Sequence, residues 1–219
     1  MRIINNQIAA FVFVFLLLVS GCVIKPPHET GNFKPADLIE LIKLDSTLKL
    51  DIRYATSNNF VGRPVYTEAR AFLQRPAALA LIKANAELKS MGYGLLIFDG
   101  YRPWHVTKLF WEITPKSKRE FVADPRKGSR HNRGCAVDLT LYDLKTGKEI
   151  EMTSGYDEMN ERSHPDYKGG TEAQRNMRDL LRSKMETHNF TVYENEWWHF
   201  DYNEWKLYAI YDIPFSEIN

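Results

Sequence analysis

The chain has 219 residues, 44% of them hydrophobic and 13% aromatic, a composition suited to one globular domain with a sizeable core. Its 29 Lys and Arg almost balance 28 Asp and Glu, for a formal net charge of +1. With no long basic run, nucleic acid is not an expected partner, and no repeat, low-complexity segment or obligate protein partner is evident.

Arg2, an apolar run from Ile8 to Val19, and then Val19-Ser20-Gly21-Cys22 read as an export signal ending in small residues before a cysteine. The run is shorter than the roughly 20 apolar residues a spanning helix needs. The pattern resembles the lipobox of bacterial lipoproteins, which implies a signal peptide over residues 1–21 and lipid on Cys22. Val23 follows that cysteine where an aspartate would retain the protein at the inner membrane. The resemblance therefore implies an exported protein, lipid-anchored on the periplasmic face of the outer membrane. Residues 22–34, with Pro26, Pro27 and Gly31, read as a tether, and residues 35–219 as the domain. A lipidated Cys22 cannot pair with Cys135, the only other cysteine, so no disulfide is expected.

Within the domain the pattern predicts an α+β chain. Leu48 to Tyr54 alternates apolar and polar residues, as a strand does. Arg75 to Met91 has Pro76 in its first turn, Leu79, Ile82 and Leu88 at helical spacing, and Gly92 as its terminator. Gly94 to Phe98 follows as a buried strand ended by Asp99-Gly100. Pro103 then opens a helix from Trp104 to Ile113, which leaves Arg102 at a strand-to-helix junction. Ala136 to Leu144 reads as a strand, and Lys145-Thr146-Gly147-Lys148 as a hairpin turn leading back to Met152. Thr171 to Asn189 is the longest helical stretch, with Thr171 and Gln174 spaced as a capping box. Thr191 to Tyr193 and Glu196 to Tyr202 read as closing strands.

Two segments carry the chemistry. Ser129-Arg130-His131-Asn132-Arg133-Gly134-Cys135-Ala136-Val137-Asp138 and Glu196-Trp197-Trp198-His199 offer two imidazoles and a carboxylate in His131, Asp138 and His199. Such a set leaves a fourth tetrahedral position open for water, the arrangement of catalytic zinc. Glu196 is then the candidate base for that water. Gly134 and Val137 argue against a helix between His131 and Asp138, so a loop running into a strand is expected. Glu196 and His199 are three apart and would face opposite ways on an ideal strand. Either a bulge at Trp197-Trp198 or a tight turn is required to bring them together. Cys135 reads as a small buried side chain. His164 reads as a loop-ordering residue, and His28, His105 and His188 as packing or solvent residues.

The run SRHNRGCAVD, the later EWWH and the segment DGYRP (99–103) resemble the zinc D-alanyl-D-alanine dipeptidases, the family that includes the vancomycin-resistance dipeptidase. The resemblance runs from Asp51-Ile52-Arg53-Tyr54-Ala55-Thr56 to beyond His199, and takes in Phe60-Val61-Gly62 and the segment from Asp157 to His164. It implies a single α+β domain of the zinc D,D-peptidase and hedgehog-like type, with a central, mainly antiparallel sheet flanked by helices. It also implies one Zn2+ on His131, Asp138 and His199, Glu196 as catalytic base, and Arg102 stabilising the transition state. The implied substrate is a small D,D-dipeptide whose ammonium group meets Asp157, with Ser129 and Tyr54 lining the site. Two rival readings are a D,D-carboxypeptidase or endopeptidase acting on peptidoglycan stem peptides, and a non-catalytic lipid-tethered zinc domain. Glu196 and Arg102 argue against the second, since neither is needed to hold zinc.

Overall fold

The computed structural model describes residues 25–218, so Cys22 and the export signal lie outside the described residues. Among the described residues no helix is long and apolar enough to cross a membrane. The chain runs through β1 (Leu38–Glu40), α1 (Leu41–Leu44), β2 (Lys49–Leu50), β3 (Phe72–Gln74), α2 (Arg75–Ser90), β4 (Tyr93–Asp99) and α3 (Trp104–Ile113). It continues with β5 (Ala136–Asp143), α4 (Glu172–Thr187), β6 (Phe190–Tyr193) and β7 (Glu196–Tyr202). A five-stranded sheet has the order β2-β4-β5-β7-β6, and β1 pairs with β3 in a separate two-stranded sheet. Only the β2–β4 pair is parallel; the other ladders of the large sheet are antiparallel. The α+β class and the mainly antiparallel sheet are as expected from sequence.

Alternation decides which side of the sheet does what. Leu95 and Ile97 of β4, with Val137, Leu139 and Leu141 of β5, join the main core with Leu81 and Leu88 of α2 and Leu181 and Met185 of α4. The intervening residues point the other way, where Leu96, Phe98 and Tyr142 pack with Tyr156. Asp138 and His199 fall in that second set, because successive side chains of a strand alternate faces. One face of the sheet therefore carries the helices and the other carries the chemistry.

Helix α4 begins as the sequence specifies. Thr171 Oγ1 accepts from Gln174 N at 3.2 Å, and Gln174 Oε1 accepts from Thr171 N at 2.8 Å, which satisfies two backbone donors that would otherwise be orphaned. Helix α2 has its proline in the first turn, but its buried face is Ala77, Ala78, Leu81, Ala84 and Leu88, while Leu79 is exposed. Small alanines let the helix approach the sheet closely, which a search for large apolar residues does not detect.

Two expectations need correction. The strand over Leu48 to Tyr54 is only Lys49–Leu50, and the chain turns through a 3-10 helix at Arg53–Ala55. That turn buries Tyr54, whose carbonyl accepts from Val65 N and Tyr66 N. The return arm after Lys145-Thr146-Gly147-Lys148 touches β5 through Ile150 N to Leu141 O and a bridge between Tyr142 and Glu149. It leaves before a strand forms, and Met152 goes into the core.

Residues 25–34 are not a free tether throughout. Glu29 carboxylate oxygens lie 2.5 Å from Arg133 Nη2 and 2.8 Å from Ile210 N. Lys34 N donates to Leu207 O at 2.8 Å.

Candidate metal centre and active site

Three neighbouring strands place one polar residue each in a row. Asp99 at the end of β4 is paired with Asp138 of β5, and Asp138 with His199 of β7. Directly opposed residues share a face with Cβ atoms about 5 Å apart, so the ladder itself brings Asp138 and His199 together. His131 arrives from a 3-10 turn, His131–Arg133, just before β5. Gly134 ends that turn at φ 66, in the left-handed region that suits glycine, and a Cβ there would overlap Leu38 Cδ2. Buried Asn132 fixes the loop: its Nδ2 donates to Arg102 O and Thr107 Oγ1, and its Oδ1 accepts from Ser129 N, all at 2.8 Å.

Glu196 joins the site through an irregularity of β7. Val192 of β6 faces Phe200, yet the next residue, Tyr193, faces Glu196, so Trp197, Trp198 and His199 have no partner on β6. The extra residues bulge β7 and rotate Glu196 toward the face that His199 occupies. Of the two arrangements open to the sequence, the bulge is the one present. Glu196 Oε2 lies 3.7 Å from His199 Nδ1.

Three atoms converge. His131 Nε2, Asp138 Oδ1 and His199 Nδ1 are separated by 3.3, 3.0 and 3.1 Å, a little under the ~3.4 Å edge of a tetrahedron with zinc-ligand bonds near 2.1 Å. The proton positions follow from what stands behind each ring. His131 Nδ1 lies 2.7 Å from Gly100 O and His199 Nε2 lies 2.9 Å from Asp201 Oδ1. Both partners are acceptors, so in the neutral rings that bind a metal these nitrogens keep the protons and the opposite nitrogens offer lone pairs. Asp138 Oδ1 is buried without a hydrogen-bond partner among the described residues, while its Oδ2 accepts from Tyr156 OH at 2.9 Å. An orphaned carboxylate oxygen facing two imidazole lone pairs fits a divalent cation, and this donor set is that of catalytic zinc. Burial of Asp138 opposes its ionisation, but the neighbouring His131 and His199 outweigh that and hold its carboxyl well below the usual range.

The other expected site residues line the same cavity of about 540 Å³. Arg102 is buried and gripped by Asp99, whose Oδ2 accepts from its Nε at 2.9 Å. Its Nη2 also lies 3.6 Å from Asp138 Oδ2. The guanidinium is thus both anchored in the core and presented to the cavity. Asp157 is half-buried at φ 58, a backbone conformation uncommon outside glycine. Tyr54 OH donates to its carboxylate, 3.1 Å from each oxygen. Burial, and after it the charge of Asp138, pushes the Asp157 carboxyl up to about 7. Ser129 Oγ accepts from His131 N at 3.2 Å, which leaves its own proton free for a ligand.

Cys135 is fully buried, donates to Arg133 O, and has its thiol pushed up to about 12 by burial. It lies outside the ligand cluster, as do His105, paired with Asp212, and His188, paired with Glu87. Sequence reasoning missed Asp99, Tyr156 and Asp201 as supporting groups. Asp201 had a signal, since i and i+2 on a strand share a face; Tyr156 had none.

Fold and site together are those of a zinc hydrolase, with one cluster among the described residues that could hold the metal and a carboxylate beside it that the metal does not need. The sequence profile of the D-ala-D-ala dipeptidases matches residues 34–218. The chain is 34% identical over 180 residues to a D-alanyl-D-alanine dipeptidase of Escherichia coli (strain K12), covering 82% of this chain and 92% of that one. It is 37% identical over 188 residues to a D-alanyl-D-alanine dipeptidase of Enterococcus faecalis (strain ATCC 700802 / V583), covering 78% and 89%. One from Enterococcus faecium is 37% identical over 171 residues, covering 70% and 85%. The chain belongs to the D-ala-D-ala dipeptidase family of peptidases.

Proposed function

We propose that the protein hydrolyses free D-alanyl-D-alanine to two D-alanines, and does so as an exported, lipid-anchored enzyme. The observation that carries the first part is a single cavity in which the metal triad, Glu196, Arg102 and Asp157 meet; membership of the dipeptidase family supports the choice of dipeptide. Zinc on His131, Asp138 and His199 would supply an acidified water and a positive charge at the scissile carbonyl. Glu196 takes the proton as the water attacks and returns it to the leaving amine. Burial, partly offset by His199, pushes its carboxyl up to about 8, near the working pH of a general base. Arg102, fixed by Asp99, faces the oxyanion that develops, at no reorganisation cost. Asp157 holds the substrate ammonium in a carboxylate pocket that Tyr54 orients, and Ser129 offers a hydroxyl donor.

The amine end supplies the test. An N-acetyl cap leaves Asp157 facing a neutral group, and an unpaired buried charge costs several kcal/mol. Zinc-loaded protein is expected to cleave D-Ala-D-Ala well and N-acetyl-D-Ala-D-Ala poorly, with Asp157→Ala partly rescuing the capped peptide. Equal rates on both would replace the dipeptidase reading with a stem-peptide carboxypeptidase or endopeptidase.

The second part of the proposal rests on Val19-Ser20-Gly21-Cys22. Residues 1–21 are removed as a signal peptide, Cys22 is lipidated, residues 22–34 join lipid to domain, and residues 35–219 form the catalytic domain at the periplasmic face of the outer membrane. An enzyme placed there stands outside the compartment where the dipeptide is made as a wall precursor, so its role is cell-wall turnover or recovery of D-alanine. Full-length protein should take up labelled lipid and sediment with membranes, and Cys22→Ala should abolish both. Unprocessed protein in the cytoplasm would refute this placement.

A further inference from the structure

A metal ligand is only as well placed as the groups that stand behind it. His131 opens the 3-10 turn His131–Arg133, and Arg133 closes it. The near end is held by Gly100 O at 2.7 Å from the ring and by Ser129 Oγ on the backbone. At the far end Gln74 Nε2 donates to Arg133 O at 2.9 Å, while the Arg133 side chain, 8% exposed, goes elsewhere. Its Nη1 donates to Tyr208 O, its Nη2 donates to Glu29 Oε1 at 2.5 Å, and the guanidinium lies 5.3 Å from the centre of the Trp205 ring. Among the described residues Glu29 is the one carboxylate paired with this buried cation. Removing it would leave Arg133 as an unpaired buried charge, which is strongly unfavourable.

The same carboxylate holds a second piece of chain. Residues 209–214 form no helix or strand, so the backbone groups there need other partners. Ile210 N finds Glu29 Oε2 at 2.8 Å, and the next residue returns to the ligand turn, Tyr211 N donating to Asn132 O at 2.9 Å. Asn132 lies between His131 and Arg133, and Trp205, which faces both Arg130 and Arg133, lines the cavity. Glu29 therefore grips the ligand turn twice, directly through Arg133 and by way of Ile210 and Tyr211. It stands in the segment that sequence reads as a tether, ahead of residue 34, where the match to the dipeptidase profile begins.

Resting on the assignment of the metal to His131, Asp138 and His199, we propose that Glu29 is a positioning residue of the metal centre. By pairing with Arg133 it fixes the turn that carries His131. The segment between the export signal and the domain is then a working part of the site, beyond its role as a linker.

The test is made on the full chain, by competition for zinc against a chelating indicator and by Tm with and without zinc. Glu29→Gln keeps the length and an acceptor for Ile210 N but removes the charge. It should weaken zinc binding by about tenfold, the low end for groups that support a metal ligand, and shrink the rise in Tm that zinc produces. Glu29→Asp, which keeps the charge, should lose less. Tyr211→Phe removes another bond to the same segment, from its OH to Lys34 O at 3.2 Å, without touching Arg133, and should leave zinc affinity unchanged. In an Arg133→Met background, which replaces the buried cation with an apolar chain, Glu29→Gln should add nothing to the loss of zinc. Equal falls in Tm with and without zinc in Glu29→Gln, at unchanged zinc affinity, would make Glu29 merely structural and overturn the proposal. So would a Tyr211→Phe effect as large as that of Glu29→Gln, or a full further loss in the Arg133→Met background. Wild type that takes up no zinc overturns the metal assignment and the proposal with it.

Discussion

At the residue scale, the division of labour between two carboxylates comes from their surroundings. Asp138 has two imidazoles at 3.0 and 3.3 Å and is held ionised, whereas Glu196 is only 3.7 Å from one of them and is pushed up by burial. The first suits a permanent ligand and the second a group that gains and loses a proton. Glu196→Ala is therefore expected to keep the fold and its zinc while losing turnover by at least about 10²-fold, a typical contribution of a general base. Metal analysis beside a steady-state assay checks this, and near-normal turnover would remove Glu196 from the mechanism. Asp157 gives a stability prediction. Its carboxyl is pushed up to about 7 by burial, so the folded state resists an ionisation that the unfolded chain allows at about pH 4. The sign follows from linkage: the favourable contribution is complete below about pH 4 and disappears as pH rises to about 7. In metal-stripped protein Asp157→Asn should raise Tm at pH 8, by a few degrees for each ~1 kcal/mol relieved, and change it little at pH 4. An unchanged or lower Tm at pH 8 would show that Asp157 is not strained by burial.

At the element scale, the strands and helices that carry the site were legible because their patterns are local. Strand β7, Glu196–Tyr202, and helix α4 with its capping box follow from alternation and from a four-residue cap signature. The row Asp99, Asp138 and His199 was not legible, because strand order and register are set by long-range pairing that no local pattern encodes. The bulge in β7 was legible only as a requirement, since Glu196 and His199 could not otherwise face one site. Short strands such as β1 and β3, three residues each, are too brief for periodicity to register. The turn ended by Gly134 joins local conformation to metal binding. Gly134→Ala has both a positive φ and an overlap with Leu38 to accommodate, whereas a Cβ at Gly62, at φ 74, would meet nothing within 4 Å. Both replacements should cost about 1–2 kcal/mol in backbone strain. Only Gly134→Ala should also displace His131 and lower zinc content, which unfolding curves and metal analysis on the pair will distinguish. Equal zinc content in both variants would separate the turn from the ligand loop.

At the scale of the whole molecule, a metal held by His131, Asp138 and His199 would tie two parts of the chain together, since the first two come from the centre of the sequence and His199 from near its end. With no metal, three polar atoms crowd within 3.3 Å of one another. Burial would push the His199 ring down, but Asp201 and Asp138 outweigh it and hold it up at about 10. At neutral pH the metal-free ring is therefore protonated, and zinc must displace that proton before Nδ1 can bind. Apparent zinc affinity should consequently rise by about one decade per pH unit between pH 6 and pH 8. The same competition governs stability, because a ligand that binds only the folded chain stabilises it by about 2.7 kcal/mol at a hundred times its Kd. Stripping zinc with a chelator should lower Tm by several degrees at pH 8, by less at pH 6, and hardly at all in His199→Ala. Cys135→Ser, which alters a buried thiol outside the ligand set, should respond as wild type does. Calorimetric scans with and without chelator at the two pH values decide the matter: a chelator effect that is the same at both would mean that zinc and the His199 proton do not compete, and the assignment of His199 Nδ1 as a ligand would fail.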